Sequence, residues 1–276
     1  MRGDDQGLDD RGVRAGHAGA VMAGLDPLAV VALALVGLVA GAGIAAVGPG
    51  GVLATAGLFA VTALSPAEVA GTALATNVAT GALGAAVYTR SGELREPGTR
   101  RAAVLLAGGA VAGTPLGVLV NGLVTGRVFG MLLGALIALV AVLVLRRPSG
   151  REAGPGEGGL RGRTVVAAGA GVAAVGGMFG VGGPMLCVPL LVVLGVPVLS
   201  ALAAAQAQSV VIAGVGTAGY AAAGAVDWPL VAVVGVPELA GVLLGWVIAR
   251  AVPARALTGA LVVSLLTLAP YVALHG

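Results

Sequence analysis

Ten apolar segments run along the chain, and their lengths constrain the fold more than any other feature. A helix of about 20 residues spans the roughly 30 Å hydrocarbon core of a bilayer. With 58% hydrophobic and only 10% charged residues, and a mean hydropathy of +1.04, the chain cannot cover itself with polar surface. The sequence therefore predicts an all-α polytopic membrane protein. Its segments are roughly 27–47, 51–64, 68–90, 101–121, 126–146, 163–181, 184–195, 198–222, 229–250 and 254–273.

A polar, Gly/Pro-rich stretch divides these segments into two sets of five. We predict a disordered N-terminal tail over residues 1–26 and a first transmembrane repeat over 27–146. A cytoplasmic linker over 147–162 and a second transmembrane repeat over 163–276 follow. Met22 is an alternative start, because the apolar pattern begins just after it.

The two halves match each other at spaced positions. Gly43 matches Gly177, Arg127 matches Arg255, and Tyr88 matches Tyr220, which are two of only three tyrosines. Chance alignment in a Gly/Ala-rich chain is the alternative, but paired tyrosines and arginines favour a duplication. The patterns "GTPLG" (113–117) and "GVLLG" (241–245) also match and are typical of close helix packing.

Five segments per half is an odd number, so a duplicated second half should be inverted relative to the first. Arginines test this, because basic residues collect on the cytoplasmic side. The inverted arrangement places three arginine-rich connections on that side and both termini outside. It requires the short segments to cross the membrane or to return as hairpins. If residues 163–195 formed one interrupted span, the number of crossings would change and Arg250 and Arg255 would lie outside. The arginines are Arg90, Arg95, Arg100 and Arg101, then Arg146, Arg147, Arg151, Arg161 and Arg163, then Arg250 and Arg255.

A Gly/Pro break interrupts each half before an unusually short segment. The breaks are "VGPGGVL" (47–53) and "FGVGGPMLCVPLLVVLG" (179–195). Proline suits the first turn of a new helix, and glycine allows a turn and a close approach. Free N–H groups at such a helix start attract an anion, although close helix crossing alone would also require glycine. The predicted substrate-binding residues here are Gly48, Pro49, Gly50 and Gly51, with Gly182, Gly183 and Pro184.

The third segment of each half adds polar side chains. Thr76 and Asn77 align with Gln208 and Ser209, and we predict that all four face a central substrate cavity. Ordinary interhelical hydrogen bonding is the alternative. Thr72 and Thr80 share the helical spacing of Thr76, and Gln206 lies beside the second pair. Tyr88 and Tyr220 are expected to anchor helix ends at the membrane interface.

Glu238 is the one carboxylate well inside an apolar segment. Carboxylates are costly at that depth and are usually functional, so Glu238 is the candidate coupling residue. Pro237 precedes it, so local capping of freed backbone donors is the alternative.

Several function classes lack the residues they need. Cys187 is the single cysteine, and His17 and His275 lie near the termini, so we predict no metal site, no cofactor and no enzymatic activity. The pI near 9.7 comes from arginines in connections and does not indicate nucleic-acid binding. The predicted partners are a small anionic solute and the lipid bilayer, and homo-oligomerisation is left open. A cation carrier or a proton-coupled carrier using Glu238 is the alternative transporter, and a purely structural membrane protein is a further one.

The sequence over roughly residues 30–272 resembles the sulfite exporter TauE/SafE family of membrane permeases. The resemblance rests on "GMFGVGGPMLCVPLLVVLGVP" (177–197), "GAVDW" (224–228), "GIAAVGPGGVLATAGLF" (43–59) and "VAGTALATNVATGALGAAVY" (69–88). It implies a multi-pass permease of the plasma (inner) membrane with duplicated halves, which moves small sulfur-containing anions such as sulfite and organosulfonates. The chain departs from the family pattern at Ala45-Ala46, at "GPGG" (48–51) and at "AAAQAQS" (203–209).

Overall fold

The computed structural model describes residues 25–46, 48, 50–145 and 162–251, together with residues 263, 266, 267, 269, 270 and 274. All the regular structure in these ranges is helical, which confirms the predicted all-α class. The predicted tail, the linker and the segment 254–273 lie wholly or mostly outside the described residues. The helices are α1 (Pro27–Ala46), α2 (Gly51–Val61), α3 (Pro66–Arg90), α4 (Pro97–Asn121), α5 (Gly126–Leu145), α6 (Gly162–Phe179), α7 (Pro184–Val193), α8 (Val198–Ala222) and α9 (Trp228–Ala251), with one 3-10 turn at Glu93–Arg95.

Six of these helices are long and apolar enough to cross a membrane: α1, α3, α4, α6, α8 and α9. Their outward faces carry large apolar side chains that water would penalise and lipid tails accept. On α1 these are Leu28, Val31, Leu35 and Val39, spaced three or four residues apart along one face, and all are more than half exposed. The multi-pass membrane prediction is therefore confirmed by length, composition and surface.

Capping residues start α3 and α4 earlier than hydropathy predicts. Ser65 and Glu68 form a reciprocal capping box, so α3 begins at Pro66 rather than at 68. Glu96 accepts bonds from the amides of Gly98 and Thr99, so α4 begins at Pro97 rather than at 101. The Thr99 hydroxyl and these amides hold the pKa of the Glu96 carboxyl below its usual range.

Two helix pairs join the halves through glycine-mediated backbone contact. A β-carbon at Gly113 or Gly117 of α4 would collide with the carbonyl of Ala170 or Ala174 in α6. In the same way, Gly241 and Gly245 of α9 lie against the carbonyls of Leu38 and Ala42 in α1. Each predicted GxxxG pattern is thus a close-packing surface. The fourth helix of each half packs on the first helix of the other.

The order of these contacts gives the helix directions. In both pairs, a residue further along one helix contacts a residue further along the other. Therefore α1 runs parallel to α9, and α4 runs parallel to α6. The third helices, α3 and α8, are antiparallel, because Gly71 lies against Tyr220 while Gly84 lies against Gln206. Thr72 and Thr76 of α3 meet Asp227 and Gly235, so α3 runs parallel to α9. These are the directions that an inverted repeat requires, and the inversion itself stays a prediction.

The two short helices both begin at mid-depth. Gly51, at the start of α2, lies beside Asn77, and Gly182, just before α7, lies beside Ser209. Asn77 and Ser209 are near the midpoints of the 25-residue helices α3 and α8. With 11 and 10 residues, α2 and α7 reach only about 15 Å at 1.5 Å per residue, half of a bilayer core.

Tags placed along the chain test the inverted arrangement. We expect tags after Gly92 and after Pro155 to report the cytoplasm, and a tag at the C-terminus to report the outside, because arginine-rich connections stay cytoplasmic. Reporter-enzyme fusions at these three positions measure this. A cytoplasmic C-terminal tag would contradict the inversion. It would support the alternative interpretation, in which residues 163–195 form one interrupted span.

Candidate functional site

The two Gly/Pro breaks meet in the centre of the protein. A β-carbon placed on Gly51 would lie 3.9 Å from the amide nitrogen of Gly182, and one on Gly48 would lie 4.0 Å from the carbonyl oxygen of Pro184. Pro49 lies outside the described residues. The starts of α2 and α7 therefore face each other although they belong to different halves of the chain.

A narrow cavity separates the breaks and has room for about one water molecule. Six of the predicted site residues line it, and Gly50, Gly183, Thr76 and Gln208 are absent from the lining. The lining residues are Ile44, Gly48, Gly51, Asn77, Thr80, Gly81, Val181, Gly182, Pro184, Met185, Gln206 and Ser209.

Gly50 and Gly183 have packing roles. A β-carbon on Gly50 would collide with the backbone of α1 at Ala40 and Ile44, and one on Gly183 would lie 3.0 Å from the carbonyl oxygen of Ala205. Gly183 has a φ of −54°, which any residue can adopt, so the backbone conformation does not require glycine at this position.

The turns themselves use other glycines. The left-handed positions at the two breaks are Gly48 (φ 105°) and Gly180 (φ 74°).

Side chains from four other helices cap the C-terminal end of α6. The last carbonyls of a helix have no partner inside it, and lipid offers none. Here they accept bonds from groups that lie far away in sequence. The bonds run from Tyr220 Oη to the Gly177 oxygen (2.8 Å), from Asn121 Nδ2 to the Met178 oxygen (2.7 Å), and from Thr55 Oγ1 (3.2 Å) and Asn77 Nδ2 (3.3 Å) to the Gly180 oxygen.

This capped end closes one side of the protein. Tyr220 is only 2% exposed, so the prediction that it anchors a helix at the membrane interface is wrong. Asp227 lies in the same end layer, where its amide donates to Thr72 Oγ1 and its carboxyl caps Leu230. Burial raises the pKa of the Asp227 carboxyl, and the nearby Glu68 adds to the rise, while the bond from Leu230 opposes it.

Several donors remain free to meet a solute in the cavity. Ser209 and Gln206 line the cavity and are each only 3% exposed. The hydroxyl of Ser209 and the side-chain amide of Gln206 bond to no described residue. The amides of Gly182 and Met185 also donate to no described group. Asn77 differs, because its Nδ2 is already used on the carbonyls of Ala73 and Gly180.

Gln206 is a lining residue that the predicted site omits. Gln206 and Ser209 are three apart and so share a helix face, as do Asn77, Thr80 and Gly81. Gln208 points elsewhere, and its Nε2 donates to the Gly169 carbonyl (2.9 Å). Helical spacing could have selected Gln206 over Gln208.

Glu238 lies outside the cavity, at the contact between α3 and α9. It is fully buried, and neither carboxyl oxygen has a hydrogen-bond partner among the described residues. The side chain of Thr76 lies beside it, but the Thr76 hydroxyl donates to the Ala73 carbonyl. Local capping would require the carboxyl to accept a bond from a backbone amide. No described amide donates to it.

A wider vestibule of about 670 Å³ continues from the narrow cavity and shares Ile44, Thr80 and Gln206 with it. Arg90 and Ser91 lie at its far end, where α3 leads into the arginine-rich connection to α4. Its walls are otherwise largely apolar. The remaining lining residues are Ala45, Leu83, Gly84, Val87, Tyr88, Leu199, Val242 and Leu243.

No group of three or more histidine, cysteine, aspartate or glutamate residues forms a metal-like cluster in the described ranges. Cys187 is a free, fully buried thiol packed among apolar side chains.

Comparison with known protein families matches residues 33–272 to the family described as sulfite exporter TauE/SafE. The match includes both breaks, the cavity and the vestibule. Among curated proteins and solved structures, none matches the chain.

Two adjacent glycines should respond differently to the same change. Gly50→Ala should lower the free energy of unfolding by about 1–3 kcal/mol, the usual cost of overpacking, because its β-carbon collides with α1. Gly51→Ala should be tolerated, since its nearest neighbour is Asn77 Oδ1 at 3.5 Å. Thermal unfolding in detergent measures both. Equal melting temperatures for the two variants would contradict the packing assigned to Gly50.

Proposed function

The chain belongs to the sulfite exporter TauE/SafE family, a family of membrane permeases, and we propose that it is a secondary transporter of a small anion. The proposed substrate is a sulfur-containing oxyanion or an organosulfonate, bound near mid-depth between two inverted repeats of the plasma membrane protein. The single observation that carries this proposal is the meeting of the two broken helices around a cavity lined by unused hydrogen-bond donors.

The donor chemistry of the cavity favours an anion. Two helix starts bring the positive ends of their dipoles to one point, where backbone N–H groups are free. Ser209 and Gln206 add side-chain donors, and no carboxylate is among the lining residues. A sulfite or sulfonate group has three oxygens, which such a set of donors can bind. A cation carrier has less support, because Glu238 lies outside the cavity.

The vestibule supports the organosulfonate half of the proposal. Its apolar wall includes Leu83, Val87 and Leu199, and it leads directly to the polar cavity. An organosulfonate carries an apolar part beside its charged group. The apolar part would contact the vestibule wall, and the sulfonate would meet the donors of the narrow cavity. The narrow cavity has room for only about one water molecule, so the solute must first occupy the vestibule and the breaks must separate slightly to admit it.

Arg90 gives the entrance a favourable field. It is an exposed cation at the vestibule mouth and forms no ion pair with a described residue. Arg95, Arg100 and Arg101 follow in the same connection, and clustered charge of one sign raises the local concentration of an opposite ion. By the positive-inside rule we expect this mouth to open to the cytoplasm, and we therefore assign this conformation to the inward-open state.

Coupling to protons is the second part of the proposal, and it rests on Glu238. An unpartnered carboxylate is too costly to bury, so we infer that this carboxyl carries a proton in the inward-open state. The described helices packed on Glu238 bring no opposite charge: α1 has no titratable residue, and α3 presents Thr76. Separation of α3 from α9 during transport would hydrate the carboxyl and release its proton.

Gly51→Ala tests the binding site. Its β-carbon fits without collision but fills the space between the breaks, so we expect substrate affinity to fall at least about tenfold while stability stays normal. Binding and proteoliposome uptake of labelled sulfite and taurine, with sulfate for comparison, measure this. Gly214→Ala is the matched control, because no atom lies within 4 Å of its β-carbon position. Wild-type affinity in Gly51→Ala would place the site elsewhere.

Glu238→Gln tests the coupling. The amide preserves shape but cannot titrate, so transport should lose its dependence on the pH gradient while substrate binding and expression remain. The measurement is uptake into proteoliposomes at a series of imposed pH gradients. An unchanged gradient dependence would show that Glu238 has no part in coupling.

A further inference from the structure

The two broken helices end differently. The end of α6 is held by Tyr220, whose hydroxyl donates to the Gly177 carbonyl two residues before the helix ends. The end of α1, at Ile44 and Ala45, lines the open vestibule. No side chain of a described residue bonds to a carbonyl in the last turn of α1. One end is therefore locked, and its counterpart is open.

Tyr88 is the counterpart of Tyr220, and it stands at the unlocked end. The two tyrosines occupy matching places near the ends of α3 and α8, both 25-residue helices. Tyr88 lines the vestibule together with Ile44, which is two residues before the end of α1 as Gly177 is in α6. Its hydroxyl bonds to no described residue, and only Arg90 and Glu93 are charged groups close to it in sequence.

We propose that Tyr88 and Tyr220 are matched positioning residues that lock the ends of α1 and α6 in alternate states of the transport cycle. The proposal rests on the proposed function, because it assumes alternating access by inverted repeats. In the state seen here Tyr220 is bonded and Tyr88 is free. In the outward-open state Tyr88 donates to the carbonyl of Ile44, the vestibule closes, and the bond of Tyr220 is broken.

The physical reason is the unpaired backbone of each helix end. The Gly43 carbonyl accepts from the Gly48 amide, but the Ile44 carbonyl accepts from no side chain of a described residue. An open vestibule lets water solvate such a carbonyl, whereas closure removes the water, and the carbonyl then needs a donor from the protein. A tyrosine hydroxyl on an otherwise apolar ring supplies the donor and fills the space as well. Closure with an unpaired carbonyl would be costly, so the hydroxyl favours the closed form of its own side.

Matched Tyr→Phe substitutions test this by moving one equilibrium in opposite directions. The probe is a cysteine at Leu83 in the vestibule wall, in a Cys187→Ala background. It is labelled by a membrane-impermeant maleimide in inside-out membrane vesicles, without substrate present. Tyr220→Phe weakens the state seen here, so labelling should slow at least about threefold. Tyr88→Phe weakens the opposite state, so labelling should be as fast as in the parent or faster.

Two further measurements keep the result interpretable. Thr89→Val removes a hydroxyl from the same end of α3 that bonds only within its helix, and it should leave labelling unchanged. Tyr88→Phe should keep the parent melting temperature, because it loses no bond in this state.

Labelling that shifts the same way in both tyrosine variants, or in neither, would overturn the proposal. Since the labelling needs no substrate, it can succeed even if sulfite and taurine fail to bind, and it can fail even if they bind well.

Discussion

The fold depends on one requirement: broken backbone inside a membrane must find hydrogen-bond partners within the protein. Lipid supplies none, so each break is tolerated only where the protein or trapped water supplies them. At the end of α6 the partners are Tyr220, Asn121, Thr55 and Asn77, from four different helices. That single helix end therefore fixes α2, α3, α4 and α8 relative to one another.

Glycine makes this arrangement sterically feasible. Bare backbone contacts at Gly113, Gly117, Gly241 and Gly245 bring α4 onto α6 and α9 onto α1. Apolar burial does little to join helices in lipid, so association relies on such close packing. With the long helices held this closely, α2 and α7 need to span only half of the bilayer, and their starts meet beside Asn77 and Ser209. The free donors of the cavity follow from that meeting.

Much of this architecture could be predicted from the sequence, because it depends on local signals. Helix length, the Gly/Pro breaks and the GxxxG surfaces are all readable from residue type and spacing. The rotation of each helix about its axis cannot be predicted in this way, and that rotation decides which polar residue reaches the cavity. Gln206 lines the cavity while Gln208 donates to the Gly169 carbonyl in the middle of α6, and Gly51 lines the cavity while Gly50 packs on α1. Tyr220 was expected at the interface because tyrosines commonly anchor helix ends there. The prediction failed because the acceptor of its hydroxyl, Gly177, is 43 residues away in sequence and no local signal indicates it.

The central claim is that an anion binds where the starts of α2 and α7 meet, and anomalous scattering tests it most directly. Selenite has the shape and charge of sulfite and carries a strong anomalous scatterer. Crystals of the protein grown with selenite should show one anomalous peak between Gly51 and Gly182, within hydrogen-bond reach of Ser209 or Gln206. A peak elsewhere in the protein, or none at concentrations that saturate binding in solution, would contradict the account.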